Sequence, residues 1–133
     1  RSLGYLLALI SLPLAGTGQF NITGSATVSG GDCIQITQAV NGQQGSAWNV
    51  NQLDVSLPFC IQLSVNLGSN NGGADGIAFV LHQLGPDAPS TATGGNMGYG
   101  NYSGGTVNPP IFSPSLIIDF DTWVNGFLGD PTY

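Results

Sequence analysis

An all-β domain of antiparallel strands is the fold class that this sequence predicts, and three observations predict it. Several segments alternate apolar and polar residues with period two, and no segment carries the 3.6-residue apolar period of an amphipathic helix. Gly (21) and Pro (8), with abundant Asn, Ser and Thr, cut the chain into short runs separated by turns. A hydrophobic content of 41% against 6% charged residues suits a packed β-protein of about one domain in 133 residues, and it argues against disorder.

The first stretch, R-S-L-G-Y-L-L-A-L-I-S-L-P-L-A-G-T-G, has a basic start, an apolar run from Leu3 to Leu14 and small residues at Ala15, Gly16 and Gly18. That layout predicts a secretory signal over residues 1–18, too short to span a membrane, and hence an extracellular or cell-surface location. A hydrophobic first strand or buried helix is the plainer alternative. Export would place Cys33 and Cys60 in an oxidising compartment, where one intrachain pairing is open to them. In C-I-Q-I-T, Cys33, Gln35 and Thr37 oppose Ile34 and Ile36. In F-C-I-Q-L-S-V-N-L, Phe59, Ile61, Leu63, Val65 and Leu67 form one face, and Cys60 lies on the other. Both cysteines thus fall in the polar phase of predicted strands, which permits a bridge without establishing it.

Gly68 to Asp75, G-S-N-N-G-G-A-D, reads as a turn, and Ile77 to Leu81 as a strand covered on both faces. Gly85 to Pro114 reads as a long irregular connection, of the kind that is usually functional in a compact domain. In Leu116 to Asp121, alternation sets Leu116, Ile118 and Phe120 against Ile117, Asp119 and Asp121, so both aspartates project from the same side. His82, the sole histidine, has no carboxylate neighbour in sequence and reads as structural or solvent-facing.

Charge narrows the function. A net charge of -6 argues against nucleic acid and anionic membrane surfaces, whereas neutral polyhydroxylated ligands carry no such penalty. Residues 117–131, I-I-D-F-D-T-W-V-N-G-F-L-G-D-P, gather three of the seven carboxylates, and the single Lys or Arg is Arg1. Carboxylates brought together without a cation repel one another and lose hydration, so the cluster calls for a metal ion. Asp121 and Asp130 offer carboxylate oxygens, Asn125 an amide oxygen and Trp123 a backbone carbonyl, the oxygen-rich set that calcium prefers. The sequence contains no Glu, which excludes an EF-hand and the paired-glutamate arrangement of many glycoside hydrolases. A solvated Asx-rich turn is the plain alternative for the cluster.

This block resembles the metal-binding signature of the L-type, legume-like lectins: a carboxylate, then F-D-T, an aromatic, any residue, Asn and, further on, D-P. Gly72 to Leu81, G-G-A-D-G-I-A-F-V-L, resembles the family's G-A-D-G-I-A-F, and Gly94 to Gly100, G-G-N-M-G-Y-G, its Gly-rich sugar loop. Gln35 to Leu67, with Gly45-Ser46-Ala47-Trp48, looks like the bacterial members. The resemblance implies a concanavalin A-like jelly-roll sandwich, with residues 19–133 forming its N-terminal portion and the remainder falling beyond Tyr133. It implies a secreted, non-catalytic, calcium-dependent module that binds glycans or glycoconjugates and serves recognition or cell adhesion, with self-association left open.

Carried over by position, Asp75 would accept from two sugar hydroxyls, the Gly95 N–H would donate to the sugar, and Asn125 would serve both calcium and sugar. Trp123 would give its carbonyl to calcium and its ring to the sugar's apolar face. The bond matching Ala74–Asp75 is cis in the family and is held by calcium, so removing the ion should remove the sugar site. Asp119 stands where many members have Glu at a second, Mn-type site, which the shorter side chain puts in question. Two competing readings are a hydrolase on the same architecture and an adhesion module in which calcium only stiffens loops. The sequons at Asn21 and Asn101 fit surface loops.

Overall fold

The computed structural model describes residues 19–31, 33–70, 72–90, 93–103, 106–109 and 111–126. The predicted leader, 1–18, and Asp130 lie outside them. Among the described residues eight strands follow one another: β1 (Phe20–Gly24), β2 (Thr27–Gly30), β3 (Cys33–Gln35), β4 (Gly45–Asn49), β5 (Gly76–His82), β6 (Tyr102–Ser103), β7 (Thr106–Val107) and β8 (Ser115–Asp121). They pair antiparallel as β1–β4, β2–β3, β5–β8 and β6–β7, and a 3-10 turn at Gly94–Asn96 precedes β6. The all-β prediction holds. Among the described residues no helix is long and apolar enough to cross a membrane.

The β1–β4 pair shows why a polar strand face can still be an inner one. Asn21 lies opposite Trp48 and Thr23 opposite Ser46, so these four side chains share a face. Onto that face folds the 85–90 segment of the long connection. Asn21 Nδ2 donates to the Pro86 carbonyl at 3.0 Å and to Asp87 Oδ1 at 2.7 Å. Trp48 Nε1 donates to the Ala88 carbonyl at 2.8 Å, and Gln44 Nε2 to the Ser90 carbonyl at 3.1 Å. Thr23 and Ser46 share a hydroxyl–hydroxyl bond of 2.6 Å. The 85–90 segment is irregular, as predicted, whereas the expected irregular connection 85–114 also contains the 3-10 turn and the β6–β7 pair. The carbonyls of Pro86, Ala88 and Ser90 are satisfied by side chains of β1, of β4 and of the residue before β4, as partly buried carbonyls require.

The β5–β8 pair is the longest ladder. Gly76↔Asp121, Ala78↔Asp119 and Val80↔Ile117 define one face, and Ile77↔Phe120, Phe79↔Ile118 and Leu81↔Leu116 the other. The predicted alternation of β8 is therefore observed, with both aspartates on one side. At the far end His82 pairs with Ser115, and an aromatic cluster joins this ladder to β4. The rings of Trp48 and His82 meet edge-on at 4.4 Å, and those of Trp48 and Phe112 at 5.3 Å. His82 stacks on Phe112 at 5.0 Å. Among the described residues Phe112, with 1% of its surface exposed, is the largest fully buried side chain, and Ala26 and Ala88 complete the buried apolar set. Of the two roles expected for His82, the structural one is observed.

Two expectations require correction. The run Phe59–Leu67 alternates as predicted but forms no ladder among the described residues, and Phe59, Ile61, Leu63 and Leu67 are exposed. Alternation fixes which way side chains point; a strand also needs a neighbour to take its N–H and C=O groups. Cys33 sits in β3 and Cys60 in that unpaired run, and both are exposed, free thiols rather than the anticipated bridge.

Candidate functional site

At the end of the β5–β8 ladder opposite the aromatic cluster, the residue before β5 and those after β8 come together. The 66–75 loop is shaped by side-chain caps: Asn66 Oδ1 accepts from the Gly68 N–H and Asn70 Oδ1 from the Gly72 N–H, each at 2.9 Å. The loop ends in a cis Ala74–Asp75 peptide, the geometry that the resemblance implies. Thr122 clamps it to β8, because its N–H donates to the Asp75 carbonyl at 2.9 Å and its hydroxyl to the Gly73 carbonyl at 3.1 Å. Sequence reasoning missed Thr122, although it lies inside the F-D-T block.

The Asp75 carboxylate meets Asn125, whose Nδ2 donates to Asp75 Oδ1 at 3.1 Å. Asn125 is 9% exposed and is the one buried polar side chain among the described residues. Burial of an amide is costly unless its groups are bonded, which is why a buried Asn marks a fixed position rather than a tolerated one. The backbone of Gly95 abuts the same amide: a Cβ built there would fall 2.9 Å from Asn125 Cγ and Nδ2. Only glycine allows that approach. A Cβ on the neighbouring Gly94, at φ +65, would lie 3.7 Å from Asp75 Oδ2. Asp75, Gly95 and Asn125, predicted as one site, thus converge from three separate parts of the chain.

Trp123 follows at once, with 50% of its surface exposed. Its N–H donates to Asp121 Oδ1 at 2.9 Å, an Asx turn that reverses the chain as β8 ends. The Trp123 carbonyl receives a long bond from Asn125 Nδ2, 3.4 Å. The site thus offers an exposed aromatic ring, a carboxylate, an amide and a backbone approach free of side chain.

Of the predicted metal ligands, Asp121, Trp123 and Asn125 occupy one short turn. A carboxylate, a carbonyl and an amide so placed have the oxygen chemistry of a calcium site, with no side-chain cation in the described residues to compete. Among the described residues no three His, Cys, Asp or Glu side chains cluster to hold a metal. Asp119 goes elsewhere. Its Oδ2 accepts a hydrogen bond at 2.6 Å from the hydroxyl of Tyr99 in the Gly-rich loop. That bond ties Asp119 to the Gly-rich loop, and His82, held in the aromatic cluster, is remote in the ladder from Asp119.

No family model matches the chain. It is similar to the pesticidal crystal protein Cry22Aa of Bacillus thuringiensis, 29% identical over 107 residues, which cover 80% of this chain and 13% of that protein.

Proposed function

We propose that this chain carries an exported, calcium-dependent carbohydrate-binding module of the L-type lectin kind, folded as part of a jelly-roll sandwich and acting without catalysis. The observation that carries the reading is the convergence of Asp75, the Gly95 backbone and buried Asn125 beside half-exposed Trp123. Neighbouring sugar hydroxyls need a charged acceptor, a fixed donor and a group able to do both, and the sugar's C–H face needs a ring. Those four requirements fall on four residues within one end of a ladder. Asp121, Trp123 and Asn125 would hold the ion, with Asp130 as a further carboxylate. Calcium there would supply a fixed positive charge that orients the Asn125 amide and the turn after β8.

The acidic, nearly cation-free composition fits a neutral polyhydroxylated ligand. The crystal protein shares its similar segment as 13% of its length, as a recognition module carried in a larger protein would be shared. One observation favours a second reading: Asn125 already occupies Asp75 Oδ1, so the cluster could serve only to fasten loops in an adhesion module. The two readings part in one experiment. The complete protein is applied to a glycan array in calcium and again after chelation. Binding in calcium that chelation abolishes supports the lectin; no binding by a folded protein in either condition supports the loop-fastening module.

A further inference from the structure

We infer that Tyr99 and Asp119 form an anchor that sets the Gly-rich loop over Asp75, so that Asp119 is a positioning residue of the candidate glycan site and not a metal ligand. Its bearing on sugar affinity rests on the carbohydrate-binding reading; the anchor itself does not.

The Gly-rich loop is a folded unit before it touches anything else. The Met97 N–H donates to the Gly94 carbonyl at 2.8 Å, and the N–H groups of Tyr99 and Gly100 converge on the Asn96 carbonyl at 3.1 and 2.7 Å. Asn96 Oδ1 accepts from the Tyr102 N–H at 2.8 Å. Met97 is the one described non-glycine residue with positive φ, 46°, and Gly94 and Gly98 share that left-handed turn of the backbone. These bonds define the loop's shape. They do not fix where that shape sits on the ladder.

Two side chains of the loop reach the ladder. Met97 Sδ lies 3.2 Å from where a Cβ on Gly76 would be, and Gly76 pairs with Asp121. The Tyr99 hydroxyl meets Asp119, two residues along β8 on the same face. At 2.6 Å this bond lies at the short end of the range for a hydroxyl donating to an oxygen. Met97 is a flexible apolar contact that can slide, whereas a phenol on a carboxylate has a direction. At the other edge of the loop, Gly95 sits against Asn125 with no room for a methyl group, so a small displacement there changes the site.

The same bond bears on metal binding. The bond ties Asp119 to the Gly-rich loop, whereas Asp121, Trp123 and Asn125 contact one another within the turn after β8, where a single ion could reach all three. The four described residues among the five candidate ligands of the sequence therefore divide into three that serve the ion and one that serves the loop.

Met97 is the single methionine of the sequence and lies between the anchor and the site, so its methyl group reports the loop's position. The complete protein, labelled with carbon-13 at the methionine methyl, is compared by NMR with Tyr99→Phe, Asp119→Asn and the double variant, Met97 being assigned through Met97→Leu. Calcium affinity and binding to an arrayed glycan are measured on each. Both single variants should shift the Met97 resonance in the same direction and weaken glycan binding by about threefold to tenfold, less than the loss of a direct contact to a charged group, because the anchor acts on the sugar only through the loop. The double variant should lose no more than either single, and calcium affinity should stay within about twofold. An unmoved Met97 resonance in Tyr99→Phe, or a loss of calcium affinity of tenfold or more in Asp119→Asn, would overturn the inference. A shifted resonance in a protein that binds no glycan upholds the anchor and removes the carbohydrate reading instead.

Discussion

An alanine at Gly95 would bring its Cβ to 2.9 Å from the Asn125 amide, a separation that real Cβ atoms do not tolerate, so one partner must move. The partner that can move is the buried Asn125 side chain, and moving it breaks the bond to Asp75. Gly95→Ala should therefore abolish glycan binding while the melting temperature falls only slightly, since the loop's own hydrogen bonds remain. Asp75→Asn tests the other end of that contact. It keeps the shape and removes the charge, and losing a bond to a charged group is worth about 1.5–3 kcal/mol. Binding should weaken on the order of tenfold to a hundredfold, read by titration calorimetry. A binding constant unchanged in both variants would sink the site. Asp75, Gly95, Trp123 and Asn125 were legible in the sequence because glycine, an amide and a carboxylate were spaced as the resemblance requires. The Tyr99–Asp119 hydrogen bond was not, because the partners lie 20 residues apart and a carboxylate among carboxylates reads as a ligand.

Strand pairs carry a different kind of information. β8 could be read from its alternation because one face is apolar and the other acidic; β1 and β4 could not be read as a pair, because Asn21, Thr23, Ser46 and Trp48 make a polar face that looks solvated until the 85–90 segment covers it. Phe59–Leu67 misled in the opposite sense, its regular alternation lacking a ladder partner among the described residues. The aromatic cluster was hidden as well, since Trp48, His82 and Phe112 share no spacing. Its consequence is a pH response. Burial pushes the His82 imidazole below the usual histidine value, and Nδ1 accepts from the Leu84 N–H at 3.0 Å, which also requires the neutral ring. A depressed folded-state value means that the unfolded chain binds the proton first. Stability should therefore be complete above about pH 6.5 and decline as pH falls through the lower folded-state value. His82→Phe, which keeps a ring in the cluster, should flatten the melting temperature between about pH 5 and 7. A slope that survives this substitution assigns the response to other groups. Phe112→Ala removes the fully buried ring of the cluster and should cost about 3–5 kcal/mol in chemical denaturation.

Over the molecule as a whole, apolar burial is modest: Ala26, Ala88 and Phe112 are the buried apolar residues among those described, while Leu116, Ile118 and Phe120 expose one face of β8. Two-stranded sheets are marginal by themselves, and here they are linked through side chains: the β1–β4 face to the 85–90 segment, and Trp48 to His82 and Phe112. Against that background a bound ion should contribute visibly to stability. With a net charge of -6 and Arg1 as the sole Lys or Arg, each carboxylate drawn into the turn after β8 adds repulsion that a cation would relieve. An ion that binds only the folded state stabilises it by about 2.7 kcal/mol at a concentration one hundred times its dissociation constant. The melting temperature should accordingly rise with calcium and return on chelation, and magnesium should do less, because it parts with its water reluctantly and demands a stricter geometry. Asp121→Asn should remove most of that rise, whereas Asp119→Asn should keep it, since Asp121 lies in the turn with Trp123 and Asn125 and Asp119 is tied to the Gly-rich loop. Thermal unfolding of the two variants with and without calcium separates the roles, and equal losses in both would return Asp119 to the metal.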